Sequence, residues 1–474
     1  MHNRLKNSIF CLFALCGLAI GIFQPFSPAL TATGHWVIMA VVITMGLWIL
    51  EPFGIPIGIS GCFFLGFLLV IGLPAKTVFS GFTQTAVWTL IPALFFGFAL
   101  KKTGLGTRIA YIVLKSVRIT YPSLLMLWAV IGVILSLLTP SITVRVVIIT
   151  PLVLDCADLC MLRQGTRGRS LVLLSAWAMA VIPGIGWKTG SLMGPILSGI
   201  FASVPGIPEV TFNDWFRVAF LPAILVSVLL LIGGYFVLRP EKKLNIPKET
   251  FREKYKALPA VTSGEKVTGL VLILCFILFT TSSLHNIPDA AICLFGLILL
   301  YTTGVFDSSD IGTGISWNLI LFTGSAMSFG AVFTQAGVSD WLSSNLLPLF
   351  APIAGNPWLL VYAVLIFLFL WRFIDVALLT PTIVIFAPVI PALNETYGIN
   401  PLVWIPLFSL AICAFFLRYQ SMFCLTFEAG AQARGWTKRH LFRYAMMYFF
   451  ACLIAMLAAV PYWDSIGMFG TFAS

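Results

Sequence analysis

Arg145, Lys188, Arg372 and Arg418 lie inside long apolar stretches, and only one acid, Asp375, clearly accompanies them. A cation at the centre of a membrane helix costs about 2.5–3.5 kcal/mol. Four such charges must pair, reach toward water or serve an anion. Arg372 and Asp375 are three residues apart, a spacing that pairs them on one helix face as accessory groups. Arg145 follows Thr143 by two residues, too deep in its stretch for its side chain to reach the interface easily. Lys188 belongs to "VIPGIGWKTGSLMGP", where Pro183, Gly184, Gly186 and Gly190 disfavour continuous helix. Arg418, in "ICAFFLRYQSMFCLT", holds the matching position later in the chain. It follows Thr380 by 38 residues, as Lys188 follows Thr143 by 45. The hydroxyls of Ser141, Thr143, Thr189, Thr380 and Thr382, beside N–H groups at helix starts, complete a candidate binding site for a small anion.

The elements that position these residues must be membrane helices. Of 474 residues, 59% are hydrophobic and 9% charged, with a mean hydropathy of +1.02. A soluble protein carries roughly a quarter of its residues as charges. That excludes a soluble enzyme, a nucleic-acid-binding protein and a disulfide scaffold, and makes the bilayer the solvent. The ten Cys act as small apolar residues. Cys156 and Cys160 share a helix face without a nearby His, and the four His are scattered toward the boundaries. No metal, cofactor or catalytic set is therefore expected.

A span needs about 20 apolar residues. Eleven are expected, near 9–27, 36–52, 55–73, 84–100, 170–197, 214–238, 267–285, 288–304, 313–335, 400–427 and 441–463. Two further apolar stretches, 122–157 and 357–393, are interrupted by Thr139-Pro140 and Thr380-Pro381. Each half reads as too short to cross, so both stretches are expected to be re-entrant hairpins with protein or water around their tips. With the N-terminus inside, 22 of the 28 basic residues fall on the inner side and two on the outer. This is a positive-inside pattern for a multi-pass cell-membrane protein, such as one of a bacterial inner membrane, with its C-terminus outside. The first hairpin then enters from the cytoplasm and the second from outside. "TVRVVIITP" and "TPTIVIFAP" both run eight residues from Thr to Pro, so the fold class is all-α polytopic with an inverted repeat. In such carriers the substrate site lies where the halves meet.

The stretches "FSGFTQTAVWTLIPALFFGFALKKTGLGTRIAY", "LTPSITVRVVIITP" and "ARGWTKRHLFRYAMMYFF" resemble the divalent anion:sodium symporter family, over nearly the whole length. The resemblance implies an elevator-type homodimer. Residues 1–118 and 241–345 would form its scaffold, and 119–240 and 346–474 its transport domain. It implies a Ser-Asn-Thr motif at each hairpin tip, which binds substrate carboxylates and helps hold sodium. Here the tips read Ser141-Ile142-Thr143 and Leu378-Leu379-Thr380, and Ile and Leu offer no side-chain oxygen. Lys188 and Arg418 fall in spans that contribute to the family's sodium sites. Permanent cations in place of sodium make the expected activity sodium-independent exchange of small organic dianions, the di- or tricarboxylates. "SITVR" is similar to the form seen in 2-oxoglutarate/malate translocators and citrate or tartrate/succinate exchangers. The alternative is a sodium-coupled dicarboxylate or sulfate symporter.

Overall fold

The computed structural model describes residues 2–116, 118–244, 249–432 and 434–470, and the named elements among them are helices, with Ile399 and Phe469 joined in an isolated bridge. Lys248, counted above among the inner basic residues, lies outside the described residues. The first half runs α1 (His2–Phe23), α2 (Ala32–Leu50), α3 (Ile57–Val70), α4 (Thr85–Thr103) and α5 (Leu105–Leu114). It continues as α6 (Tyr121–Leu138), α7 (Ile142–Leu159), α8 (Arg167–Val181), α9 (Met193–Ala202) and α10 (Phe212–Val237). After the linker helix α11 (Glu249–Lys256) come α12 (Ser263–Thr280), α13 (Asp289–Thr302), α14 (Trp317–Met327), α15 (Phe329–Gln335) and α16 (Val338–Ala354). The second hairpin and the close follow as α17 (Pro357–Trp371), α18 (Thr380–Phe386), α19 (Ile390–Tyr397), α20 (Trp404–Ile412), α21 (Met422–Ala431) and α22 (Lys438–Ser465).

Nine helices among the described residues are long and apolar enough to cross a membrane. Eight coincide with expected spans. The ninth is α6, the first hairpin arm, whose 18 residues correct the expectation that this arm is too short to cross. Two expected spans, α3 and α13, are short at 14 residues each, and the expected span at 400–427 is broken into α20 and α21.

The order of elements repeats. Each half offers a long helix, a 14-residue helix, a span ending in a glycine of positive φ (Gly104, Gly337), an amphipathic segment, a hairpin, a broken helix and a long closing helix. The packing repeats as well: α3 lies on α14 as α13 lies on α4, and α10 lies on α22. Thr caps open many of the helices. Thr211 and Thr262 each form a capping box with the acid three residues on, Asp214 and Glu265.

Lipid tails supply no hydrophobic drive between helices, so the helices approach through small residues. The N–H of Gly58 donates to Oδ1 of Asn318 at 2.7 Å across the α3–α14 contact. Gly132 brings α6 onto α8 so closely that a Cβ there would lie 2.0 Å from the carbonyl oxygen of Met179. At the loop ends, charges tie elements together. Arg108 of α5 donates from Nε to Glu265 at 2.6 Å and from Nη2 to the carbonyl of Pro259 at 2.8 Å. Arg169 of α8 meets Asp158 at 2.6 Å and the Arg434 carbonyl at 3.3 Å.

Gly132→Val is expected to lower stability by about 1–3 kcal/mol or more, because the backbone it meets cannot yield like a side chain. Gly66→Ala, where nothing lies within 4 Å, should be neutral or slightly stabilising. Thermal unfolding of the detergent-solubilised variants measures both.

Candidate functional site

The first hairpin turns at three residues, Thr139 to Ser141, because Pro140 cannot continue α6 and Ser141 caps α7. The Ser141 Oγ accepts from the N–H of Val144 at 3.4 Å, and the Ser141 N–H donates to the Thr139 hydroxyl at 3.1 Å. This tip packs against Gly97, inside α4 rather than at its end, so it lies within the bundle. Pro140 and Thr189 face Phe96, Cys275 and Phe279 of α4 and α12 across a very small gap.

Beyond α8 the chain unwinds into two short 3-10 turns at Pro183–Gly186 and Lys188–Gly190. Trp187 pins the segment to the hairpin, donating from Nε1 to the Ser136 carbonyl at 2.9 Å. A Cβ at Gly184 would lie 2.2 Å from the Gly190 carbonyl oxygen and 2.6 Å from Nη1 of Arg145. Glycine at 184 therefore makes the space that the guanidinium occupies.

Arg145 is 0% exposed, and Nε, Nη1 and Nη2 all lack a hydrogen-bond partner among the described residues. Its charge acts on the thiol of Cys413, where α20 ends and the second broken helix begins. Arg372, from the other hairpin, lies within electrostatic reach of the same thiol, so Cys413 is a neighbour common to both guanidinium groups.

The second tip is built differently. α17 ends at Trp371, and Arg372 and Asp375 follow it in irregular backbone. They do not sit on one helix face as an ion pair, which corrects the sequence expectation. Arg372 Nη1 instead donates to the backbone carbonyl of Asp375 at 2.5 Å, Nη2 donates to the carbonyl of Gln420, and Nε has no partner among the described residues. The Asp375 carboxylate accepts from the Thr382 N–H at 3.2 Å, the Thr382 hydroxyl at 2.5 Å and the Ala377 N–H at 3.2 Å. It caps α18, where Leu378 and Leu379 adopt φ of 56° and 52°, a left-handed conformation costly for a branched side chain. Thr380 is buried, and its hydroxyl has no hydrogen-bond partner among the described residues.

The break between α20 and α21 forms without Gly or Pro, since Gln420 holds it. Its Oε1 accepts from the Leu417 N–H at 2.8 Å, while Nε2 is buried and unpartnered among the described residues. The junction thus holds a surplus of buried donors, on Arg145, Arg372 and Gln420, over acceptors. Such a set suits an acceptor-only group with several oxygens, a carboxylate above all.

The remaining candidates lie apart. Lys188 is buried, but Nζ donates to Asp289 Oδ2 and to the Val210 carbonyl, both at 2.7 Å. This pair lines a cleft of about 330 Å³ with Thr85, Thr89, Ser198 and Glu209. Arg418, expected at the midplane site, has a side chain 48% exposed and meets Glu428 at 3.1 Å. Thr143 is half-buried on α7. The residues that the sequence reading missed are Asp289, Cys413 and Gln420. Asp289 follows Asn286-Ile287-Pro288, a turn signature that reads as an ordinary first-turn acid.

Paired hairpin tips set against paired broken helices, around buried cations, define a polytopic membrane transporter. The profile of the sodium:sulfate symporter transmembrane region matches residues 6–469, and the chain belongs to that family. It is 23% identical to the spinach protein named dicarboxylate transporter 1, chloroplastic, over 75% of this chain and 64% of that one. It is also 23% identical to the Escherichia coli L-tartrate/succinate antiporter, over 62% of this chain and 61% of that one. The structure of the Alcanivorax borkumensis YdaH transporter shares the fold, with a TM-score of 0.54 at 16% identity, covering 85% of this chain and 89% of that one.

Removing one member of the Lys188–Asp289 pair leaves a buried charge uncompensated, which costs about 3–5 kcal/mol, whereas replacing both with apolar residues is often neutral. Asp289→Ala is therefore expected to lower the melting temperature sharply, and Lys188→Met with Asp289→Leu to recover most of the loss in the same unfolding assay.

Proposed function

We propose that this transporter exchanges small organic dianions without sodium, with one substrate carboxylate held by Arg145. The observation that carries the reading is the fully buried guanidinium of Arg145, which no group among the described residues neutralises. Arg372, Gln420 and Thr380 supply donors for the rest of the anion, and Ser141 and Thr382 shape the two tips. Lys188 and Thr189 face the scaffold side of the same unwound segment. The names of the two curated relatives, a dicarboxylate transporter and a tartrate/succinate antiporter, support the substrate class.

The mechanism follows from charge. Two guanidinium groups against one carboxylate, Asp375, leave the junction positive. A dianion reverses the sign of that charge rather than cancelling it, so the gain on loading lies in pairing. The empty site carries Arg145 with no partner among the described residues, whereas in the loaded site each guanidinium faces a carboxylate and Asp375 keeps its own three donors. The loaded form then crosses more easily than the unloaded one, which is the logic of obligate exchange. The moving body in this reading is 119–240 with 346–474, sliding against 1–118 with 241–345 in a homodimer. The N-terminus lies in the cytoplasm of the cell and the C-terminus outside.

Counterflow into proteoliposomes is the test, using labelled succinate, malate, 2-oxoglutarate, citrate and sulfate. Uptake should require an internal anion and be unchanged when choline replaces sodium. Uptake into anion-free vesicles driven by a sodium gradient would overturn the exchange reading in favour of sodium-coupled symport. A hydrogen bond to a charged group contributes about 1.5–3 kcal/mol, so Arg145→Gln should raise the half-saturating substrate concentration by about 10–150-fold. Arg145→Lys should recover part of that, because it keeps the charge and loses the planar fork.

A further inference from the structure

The closing helix α22 starts with Lys438 and Arg439, both exposed, and neither forms an ion pair among the described residues. The first turn of a helix already carries partial positive charge, and no acid stands there to balance it. Above these cations the exposed stripe of α22 is apolar: Phe442, Phe450, Ile454 and Leu457, with Met446 half-exposed between the first two. From Phe442 to Pro461 a helix rises about 29 Å, close to the roughly 30 Å of a hydrocarbon core. The stripe therefore lies against acyl chains, and Lys438 and Arg439 stand at the level of the headgroups.

A groove of about 810 Å³ opens beside this foot of the helix. Its wall is apolar and exposed, with Leu417, Leu425 and Phe442 each more than 40% accessible and Tyr419 adding a phenol. A third cation, Arg418, reaches into it from the second broken helix and shares its charge with Glu428. Three cations thus face one acid where an apolar stripe begins.

We propose that this groove binds an anionic phospholipid. The phosphate lies between Lys438, Arg439 and Arg418, and an acyl chain runs along Phe442 and Leu425. A soluble anion would gain the charges but nothing from the apolar wall, whereas a zwitterionic lipid would gain the wall and little from the charges. Basic loop residues that only set topology would need no groove. The groove adjoins the second break through Leu417 to Tyr419, but Arg145, Arg372 and Gln420 do not line it, so the proposal does not depend on which anion is carried.

The full-length protein in detergent, supplied with equal amounts of phosphatidylglycerol and phosphatidylcholine, tests this by native mass spectrometry. The wild type should retain phosphatidylglycerol in preference to phosphatidylcholine. Lys438→Gln with Arg439→Gln should reduce that preference by about fivefold per charge removed. Lys266→Gln, which removes an exposed cation elsewhere, should leave it unchanged. All these positions are on the surface, and an unchanged melting temperature verifies folding. Parity of the two lipids in the wild type would overturn the proposal. So would equal retention by the double variant, an equal loss in Lys266→Gln, or displacement of the lipid by millimolar inorganic phosphate.

Discussion

A guanidinium that water cannot reach is the constraint on which this structure depends. Arg145 is fully buried, and no protein carboxylate is placed to meet it among the described residues. The elements nearest to it exist in the form that accommodates it. Pro183 ends α8 one residue before the space is needed, Gly184 supplies that space, and Trp187 fixes the unwound segment to Ser136 of the hairpin. The hairpin tip in turn rests on Gly97 of α4. More distant features, such as the Arg108–Glu265 bridge and the glycine contact between α6 and α8, hold these elements in register rather than take part in the site.

The four cations found inside apolar stretches meet four different fates, and their partners decide which. Lys188 is neutralised by Asp289, and Arg418 shares its charge with Glu428 at the surface. Arg372 is held by two backbone carbonyls, which carry partial charges only, so hydrogen bonding satisfies the group without cancelling it. Arg145 has neither kind of partner among the described residues. Uncancelled positive charge is thereby left near Cys413, the common neighbour of Arg145 and Arg372, whereas that of Lys188 is met by Asp289. Equal treatment of the four, which residue type and depth alone suggest, misses this difference because it depends on groups distant in the chain.

The same distinction explains what could be read from the sequence. The spans, the two hairpins and the first broken helix rest on hydropathy and on Pro and Gly, which act locally, and they are legible residue by residue. The membership of Arg145 in the junction follows from its place beside a tip. Asp289 pairs with a lysine 101 residues away, and no local pattern marks that. The break at Gln420 is equally hidden, since it depends on the Gln420 side chain and on Arg372, 48 residues earlier. Thr139-Pro140 divides the first hairpin stretch, which suggests short arms, yet α6 and α7 have 18 residues each because both helices run beyond the apolar stretch.

The two halves therefore build matching shapes by different means, and this sets where the junction can yield. The first break is intrinsic: Pro183 and the glycines keep it open whatever surrounds it. The second is conditional, held by hydrogen bonds from Arg372 and Gln420 and by the Asp375 cap on α18. It also carries two leucines in left-handed backbone, each costing on the order of 1–3 kcal/mol. Strain of that kind persists only while the cap and the guanidinium bonds outweigh it. An anion that drew Arg372 from its carbonyl partners would weaken them, and the change would fall on the second tip. The first tip, with Arg145 in its glycine-lined space, would stay as it is. A rigid anchor facing a deformable wall can hold one carboxylate in fixed geometry and adjust to the length of whatever bears the other.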